Sequence, residues 1–275
     1  MPRRHLDSIG WRDHGQSEPV QRCRPWRSGG QRAEVEGGVL YVVSTPIGNM
    51  RDITLRALDV LAQVDVIAAE DTRHTGLLLK HYGISTPLTS YYEYNRLKKT
   101  PELIARLRRG ESVALVSDAG TPGISDPGCY LVRTAVAENL RVQAIPGPTA
   151  LVTALVTSGL ATERFVFEGF LPTKKGRKTR LESLRQEERT LVFYESPHRL
   201  QRTMRDLLEV LGERQAVVAR ELTKKFEEII RGPLSHLVAA LQEKRMRGEV
   251  VLVIEGRPRL QQQADNECGK GRVRR

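Results

Sequence analysis

The sequence predicts an α/β protein of two domains, the first built on a mostly parallel sheet and the second on a mixed sheet. Over residues 39–155, short apolar runs of strand length alternate with segments of helical period. Such β-α-β units form parallel sheets, because their crossovers are right-handed. After a break at 159–163, the strand patterns 216–220 and 226–231 follow one another with no helix between them. Two consecutive strands of this kind indicate an antiparallel pair, which makes the second sheet mixed.

The patterned part of the chain divides into a domain over 39–160 and a domain over 161–256. Residues 1–38 are rich in Arg, Gly, Ser and Gln without an apolar period, and 257–275 are polar and of low complexity. Both ends are therefore predicted to be disordered. The longest apolar runs have the length of a strand, so no membrane span is expected.

Capping signals place the individual helices. Thr100 is expected to be an N-cap, with Pro101 at the first helical position. Asp126 and Pro127 predict the same arrangement for the next helix. The other helices are expected from about Thr54 with an apolar face on Leu55, Leu58, Leu61 and Val64, over 77–81, from Ala150, after Ser196 and Pro197, and over 233–244. The predicted strands are 39–43, 66–69, 113–116, 142–145, 165–167, 191–194, 216–220, 226–231 and 250–254.

Charge, cysteine and histidine content indicate the kind of partner, the metal content and the compartment to expect. The chain has 44 Lys and Arg against 33 Asp and Glu, a formal net charge of +11 that attracts polyanions such as nucleic acids. Its three cysteines are isolated and its six histidines show no ligand spacing, so no metal site is predicted. Unpaired thiols are typical of a reducing compartment, and we expect a cytoplasmic protein.

The segment 117–128 is the leading candidate for a binding loop. It follows the apolar run 113–116, yet a plain strand-to-helix turn needs only about 2–6 residues. Its glycines let the backbone approach a ligand, and its N–H groups and carboxylates can bind one. In an open α/β sheet, ligands bind past the carboxyl ends of the strands, where this loop lies. The GxGxxG and GxxxxGK[ST] patterns are absent, which argues against Rossmann dinucleotide and P-loop sites.

The loops that follow the strands, taken together, resemble those of the tetrapyrrole methylase superfamily. Within it, the chain is most similar to the branch that methylates the ribose 2′-oxygen of a cytidine in the decoding region of small-subunit ribosomal RNA. The resemblance covers 39–256 in order. It is carried by Ser44–Asn49, Ala69–Arg73, Ser117–Gly128, Pro146–Ala150, Phe193–Arg199, Arg220–Glu228 and Gly248–Val251.

This resemblance implies two α/β domains of the tetrapyrrole methylase type with S-adenosylmethionine in the cleft between them. It also implies a homodimer that acts on small-subunit ribosomal RNA or on the assembled small subunit. Carried over by position, the cofactor is expected to contact Pro46, Asp118, Ala119, Gly120, Ile124, Ser125, Thr149, Ala150, Tyr194 and the backbone near Val250. Corrin-type relatives have Gly-Gly-Asp-Pro where this chain has 118–121, which argues against a tetrapyrrole substrate.

Residue chemistry agrees with a methyl-transfer site. A sulfonium cation needs oxygen atoms nearby, and Asp118 with the small residues after it can supply them. A ribose hydroxyl is a weak nucleophile near neutral pH, so a base or a charge stabiliser is expected. Asp71 and Glu221 are the candidate carboxylates, and Arg73 can hold a phosphate or orient Asp71. Equally, Glu70, Asp71 and Arg73 can form a structural ion-pair network.

Two surface features have alternative interpretations. The segment 174–189 carries seven basic and three acidic residues. It is either a solvated helix face or a set of phosphate contacts, of which Lys174, Lys175, Arg177 and Lys178 are the candidates. Tyr91, Tyr92 and Tyr94 can stack on a base or pack across strands.

The sequence therefore predicts an S-adenosylmethionine-dependent ribosomal RNA ribose 2′-O-methyltransferase. One alternative is a small-molecule methylase acting on a tetrapyrrole precursor. The other is a non-catalytic RNA-binding factor in ribosome assembly.

Overall fold

The computed structural model describes residues 34–126, 128–242 and 246–257. The predicted disorder of residues 1–33 and 258–275 lies outside these ranges. Ordered contacts begin before residue 39, because Val35 packs against the core of the first sheet and the Glu36 N–H donates to the Tyr41 hydroxyl at 2.8 Å.

The first sheet contains five strands that are all paired in parallel, which confirms the prediction of a mostly parallel sheet. Four of these strands were predicted, and the fifth, over residues 88–90, was not. Its elements are β1 (Val39–Val43), α1 (Leu55–Gln63), β2 (Val66–Ala69), α2 (Thr72–Tyr82), β3 (Leu88–Ser90), α3 (Arg96–Arg108), β4 (Val113–Val116), α4 (Gly128–Ala137) and β5 (Arg141–Ile145). The strand order is β3-β2-β4-β1-β5. A 3-10 turn over Met50–Asp52 precedes α1.

Helices cover both faces of this sheet, which explains why its strands are continuous apolar runs. Alternate residues of a strand point to opposite faces. Tyr41 of β1 faces the core formed with α1 and α2, whereas Leu40 faces the core formed with α3 and α4.

The second sheet is mixed, and this prediction is also confirmed. Its elements are β6 (Phe165–Phe170), α6 (Arg177–Ser183), β7 (Thr190–Glu195), α7 (Leu200–Leu211), β8 (Gln215–Arg220), β9 (Glu228–Pro233), α8 (Leu234–Ala240) and β10 (Val250–Ile254). The order is β6-β7-β10-β8-β9, with β6 and β7 parallel and the remaining neighbours antiparallel.

The helix α5 (Ala150–Ser158) joins the two halves of the protein. It follows β5 in the chain and falls within the predicted first domain, but its buried residues pack on the second sheet. Ala154 and Leu155 share a core with Val192, Val217 and Val251, and Ile47 from the loop after β1 belongs to the same core. The opposite face of the second sheet packs on α6, α7 and α8.

Several helix boundaries differ from the predicted ones. The helix α3 begins at Arg96, and Pro101 lies inside it. Thr100 is not a cap, because it is buried and its hydroxyl bonds to the hydroxyl of Tyr91 at 3.0 Å. The helix α2 begins five residues earlier than residue 77, because Asp71 caps it by accepting from the Arg73 N–H at 2.8 Å.

Three further details of the helices were not as predicted. Leu55 is exposed at the start of α1, whose buried apolar residues begin at Ala57. The helix α7 begins at Leu200 with Arg199 as its N-cap, because Ser196 closes a preceding turn. The helix α8 ends at Ala240. Over the three described ranges, no helix is both long enough and apolar enough to span a membrane.

Candidate active site

The loops at the carboxyl ends of β1 and β4 are joined directly. Thr45 and Gly120 form an isolated antiparallel bridge, with N–H···O distances of 2.9 and 3.0 Å. Gly120 has φ of 83°, a left-handed conformation that favours glycine. The bridge fixes the segment after Asp118 beside Ile47, which also belongs to the core shared with the second sheet.

A cleft of about 380 Å³ lies where these loops meet the second sheet. Seven of the residues predicted to contact the cofactor line it: Ala119, Gly120, Ile124, Thr149, Ala150, Tyr194 and Val250. The sequence prediction did not single out the remaining lining residues, Ile47, Thr121, Phe170, Glu195, Ser196, Pro197, Gly248, Glu249 and Val251. Most of these residues belong to the loop segments that carry the family resemblance. Those segments therefore indicated the cleft, but the prediction selected too few residues within them.

The other three predicted contacts lie beside the cleft. Pro46 and Asp118 line a small adjoining cavity with His74 and Ser117. Ser125 is exposed and has a φ of 65°. The Oγ atom of Ser125 lies so near Gly169 of β6 that a Cβ atom placed on Gly169 would be 3.0 Å from it. Ser125 therefore marks a close approach of the long loop to the second sheet.

Tyr194 holds the cleft wall at the junction of the two sheets. Its hydroxyl accepts a hydrogen bond from the Leu151 N–H at 3.1 Å, and its ring makes edge contacts with Phe167 and Phe170. Burial raises the pKa of the Tyr194 hydroxyl, so the phenol stays neutral at physiological pH. A strand of the second sheet thus stabilises the first turn of α5.

Carboxylates cluster beneath the loop that follows β4. Asp118 Oδ1 accepts from the Asp71 N–H at 2.9 Å, and Glu70 Oε2 lies 3.4 Å from the Asp118 nitrogen. Burial and the neighbouring Asp118 raise the pKa of Glu70 to about 7. Burial also raises the pKa of Asp118 and of Asp126. Partly buried negative charge of this kind favours a nearby cation.

Asp71 and Arg73 form an ion pair at the start of α2. The guanidinium Nε and Nη2 atoms lie 3.1 and 2.6 Å from the two carboxylate oxygens. This hydrogen bonding lowers the pKa of Asp71 to about 2. The Arg73 side chain remains 88% exposed. Asp71 is therefore ionised but weakly basic, and Arg73 presents its free edge to solvent.

Glu221 contacts the turn that leads into β10. Its Oε1 atom accepts from Lys224 Nζ at 2.9 Å and from the Glu249 N–H at 3.2 Å. A Cβ atom on Gly248 would overlap the Glu221 side chain, and the φ of 82° at Gly248 also favours glycine. Glu221 thereby fixes residues 248 and 249, which line the cleft.

The basic segment 174–189 is mostly paired with acids. Arg177 is 5% exposed, and its guanidinium bonds Asp206 Oδ2 and Thr203 Oγ1, each at 2.8 Å. This placement differs from a phosphate contact, because the group is already desolvated and satisfied. Arg180, Arg185 and Arg189 pair with Glu168, Glu182 and Glu187. Lys174, Lys175 and Lys178 are exposed.

The three tyrosines of the loop after β3 separate into two environments. Tyr91 is 1% exposed and bonds to Thr100, so it is a packing residue. Tyr92 and Tyr94 are 40% and 94% exposed.

The fold and the site define a two-unit α/β protein with a ligand-sized cleft where the loops of its two sheets meet. The sequence profile of the family described as Tetrapyrrole (Corrin/Porphyrin) Methylases matches residues 39–238. The chain belongs to this family.

Relatives and a solved structure agree with this assignment. The ribosomal RNA small subunit methyltransferase I of Synechocystis sp. is 57% identical over 221 residues, covering 80% of this chain and 79% of that protein. The protein of the same name from Escherichia coli O157:H7 is 53% identical, covering 82% of this chain and 80% of that protein. The uroporphyrin-III C-methyltransferase of Thermus thermophilus, complexed with S-adenosyl homocysteine, aligns with a TM-score of 0.57 at 19% identity, covering 78% of this chain and 96% of that chain.

Proposed function

We propose that this chain is an S-adenosylmethionine-dependent methyltransferase that methylates the ribose 2′-oxygen of a cytidine in the decoding region of small-subunit ribosomal RNA. The observation that carries the methyl-transfer part is the cleft between the loop after β4 and the turn before β10. The RNA part rests on the 57% identity to a ribosomal RNA methyltransferase.

The cleft fits the proposed cofactor. Its volume of about 380 Å³ lies in the range of small-molecule sites. Ile47, Ile124 and Val250 supply apolar walls, while Ala119 and Gly120 leave the backbone accessible. S-adenosylmethionine supplies a methyl group made electrophilic by its sulfonium charge. Asp118, which lines the adjoining cavity and precedes the cleft residue Ala119 in the chain, is the carboxylate that can offset this positive charge.

We assign the predicted catalytic residues separate roles. Arg73 is exposed and held by Asp71, so it is placed to bind a phosphate of the RNA and orient the acceptor ribose. Asp71 keeps Arg73 in position and remains available as a weak base. Glu221 acts as a positioning residue, since it fixes the turn at Gly248 that lines the cleft.

Exposed lysines supply the electrostatic part of RNA binding in this proposal. Lys174, Lys175 and Lys178 lie around the start of α6, and Lys174 and Lys178 line a surface groove with Arg202. Arg177 has a structural role, since it links α6 to α7 through Asp206. Phosphate contacts by such lysines position an RNA without reading its bases.

We also propose that the protein is a cytoplasmic homodimer. Val152 and Val156 are 46% and 63% exposed on the outer face of α5. β5, which precedes α5 in the chain, is an edge strand of its sheet, and most of its residues are partly or fully exposed. Exposed apolar residues on a helix and an open sheet edge are each features of surfaces that pair with a second copy.

Transfer of a labelled methyl group tests the proposed activity. Wild-type protein is incubated with labelled S-adenosylmethionine and bare small-subunit ribosomal RNA, assembled small subunits or a tetrapyrrole precursor. Label in ribose 2′-O-methylcytidine after nuclease digestion supports the proposal. Label only in the tetrapyrrole favours the small-molecule methylase. Tight RNA binding with no label transferred favours the assembly factor.

A further inference from the structure

The loop between β3 and α3 presents aromatic rings to solvent. Tyr94 is 94% exposed and Tyr92 is 40% exposed, and their ring centroids lie 6.4 Å apart at an interplanar angle of 66°. Exposed tyrosines cost little when scattered, but two in one short loop form a local concentration of π surface. We call residues 91–96 the aromatic loop.

The aromatic loop is held in one conformation by Asn95. The Asn95 side chain accepts from the Tyr92 N–H at 2.8 Å and donates to the Ser90 carbonyl at 3.1 Å. The N–H groups of Asn95 and Arg96 both donate to the Tyr92 carbonyl at 3.0 Å. The rings therefore project from a fixed backbone, which reduces the entropy lost on binding a ligand.

The position of the aromatic loop places it beside the candidate active site. β3 pairs with β2, with Ser90 opposite Ala69, and the Tyr91 N–H donates to the Ala69 carbonyl at 2.7 Å. The residues that follow Ala69 include Asp71 and Arg73. Because β2 and β3 are parallel, both segments leave the same edge of the sheet.

The aromatic loop also carries a cation, Arg96, at its end. The Arg96 guanidinium lies 5.6 Å from the ring centroid of Tyr130 at the start of α4, and Arg96 Nη1 pairs with Glu93 at 2.9 Å. Tyr130 is 37% exposed. Aromatic rings and arginine planes are the groups on which proteins stack the unpaired bases of RNA.

We propose that the aromatic loop is a stacking platform for an unpaired base of the substrate RNA, with Tyr94 as its principal ring. The proposal rests on the proposed function and adds a site to it. A second copy of the chain is a poorer occupant, because a stable interface buries about 800 Å² per partner. Here the tyrosines alternate with polar Glu93 and Asn95 and do not form a broad apolar patch.

Two substitutions at one position test the platform. Tyr94→Ala removes the ring, whereas Tyr94→Phe keeps the ring and removes only the hydroxyl. Val136→Ala, at a 60% exposed residue near the end of α4, is the matched control for removal of apolar surface. Binding of a labelled single-stranded pyrimidine RNA and of unmethylated small subunits is measured over a salt series, with S-adenosylmethionine affinity and sedimentation measured in parallel.

Tyr94→Ala should weaken RNA binding by between about fivefold and about a hundredfold, as expected when one base has no ring to stack on. The slope of log affinity against log salt should stay parallel to wild type, because stacking releases no counterions. Tyr94→Phe and Val136→Ala should bind RNA like wild type. Affinity for S-adenosylmethionine should be unchanged in all three variants.

Equal RNA affinity of Tyr94→Ala and wild type would overturn the platform, even if wild type methylates RNA normally. A change in sedimentation for Tyr94→Ala would overturn it too, by showing that the loop lies between copies of the chain. If wild type transfers no methyl group to RNA and Tyr94→Ala still weakens RNA binding selectively, the proposed function fails and the platform stands.

Discussion

The hydroxyl of Tyr194 in β7 accepts a hydrogen bond from the backbone N–H of Leu151 in α5 at 3.1 Å. This contact joins the second sheet to the helix that follows the first sheet, and both residues adjoin the cleft. The N–H of Leu151 belongs to the first turn of α5, where no intrahelical acceptor is available. The Tyr194 side chain therefore completes the helix start and shapes the candidate cofactor site at once.

Tyr194→Phe should lower the free energy of unfolding by about 1 kcal/mol, since it leaves the Leu151 N–H without this acceptor. Affinity for S-adenosylmethionine should fall modestly with it. Denaturant unfolding and calorimetric titration measure the two effects. Tyr92→Phe, on the exposed aromatic loop, is the control and should change neither. Wild-type stability of Tyr194→Phe would contradict the assigned role.

Gly120→Val should abolish measurable S-adenosylmethionine binding while the protein still folds. The left-handed φ of 83° disfavours a branched side chain, and the added atoms would enter the cleft wall beside Ile47. Gly123→Val is the control for backbone strain, because Gly123 also has a positive φ, of 91°, but no atoms lie near its Cβ position. Gly123 is not among the residues that line the cleft. Both variants should lose thermal stability, but only Gly120→Val should lose cofactor binding in calorimetry.

The stability of Glu70→Gln relative to wild type should increase as pH rises. The pKa of Glu70 in the folded protein is about 7, above its ordinary value of 4.5. The stability that this raised pKa contributes is fully present below about pH 4.5 and is lost as pH rises through about 7. The melting temperature of Glu70→Gln minus that of wild type should therefore increase from about pH 5 to about pH 8.

Glu102→Gln is the matched control for this titration. Hydrogen bonding to Lys99 lowers the pKa of Glu102, so its stabilising contribution is present at neutral pH and is lost in acid. Its melting-temperature difference should have the opposite sign at neutral pH. A difference for Glu70→Gln that does not vary with pH would refute the prediction.

Replacing Lys174, Lys175 and Lys178 by Ala should weaken RNA binding and reduce the salt slope by about 0.7–0.9 for each phosphate that is no longer neutralised. Filter binding over a salt series measures both quantities. Arg189→Ala removes an exposed cation that pairs with Glu187, and it should leave the slope unchanged. Equal slopes of log affinity against log salt for the triple variant and wild type would contradict the proposed lysine contacts. Arg177→Ala should act differently, lowering stability because it removes the buried hydrogen bonds from the guanidinium to Asp206 and Thr203.

Val156→Glu should shift the protein from dimer to monomer in sedimentation equilibrium, because it places a charge on the exposed apolar face of α5. Val136→Glu, at a residue of similar exposure on α4, should leave the dimer intact. A wild-type protein that sediments as a monomer would remove the basis for this proposal.

The sequence alone determined four of the five strands of the first sheet and most of the loops that line the cleft. Buried parallel strands are continuous apolar runs such as 113–116, and the turn residues around Gly120 carry their own conformational signal. Only the tertiary structure decided the rest. It placed α5 on the second sheet, buried Arg177 against Asp206, and left Tyr94 exposed while Tyr91 is buried. It also started α3 at Arg96 despite Pro101. These outcomes depend on contacts between residues far apart in the chain, which local patterns do not encode.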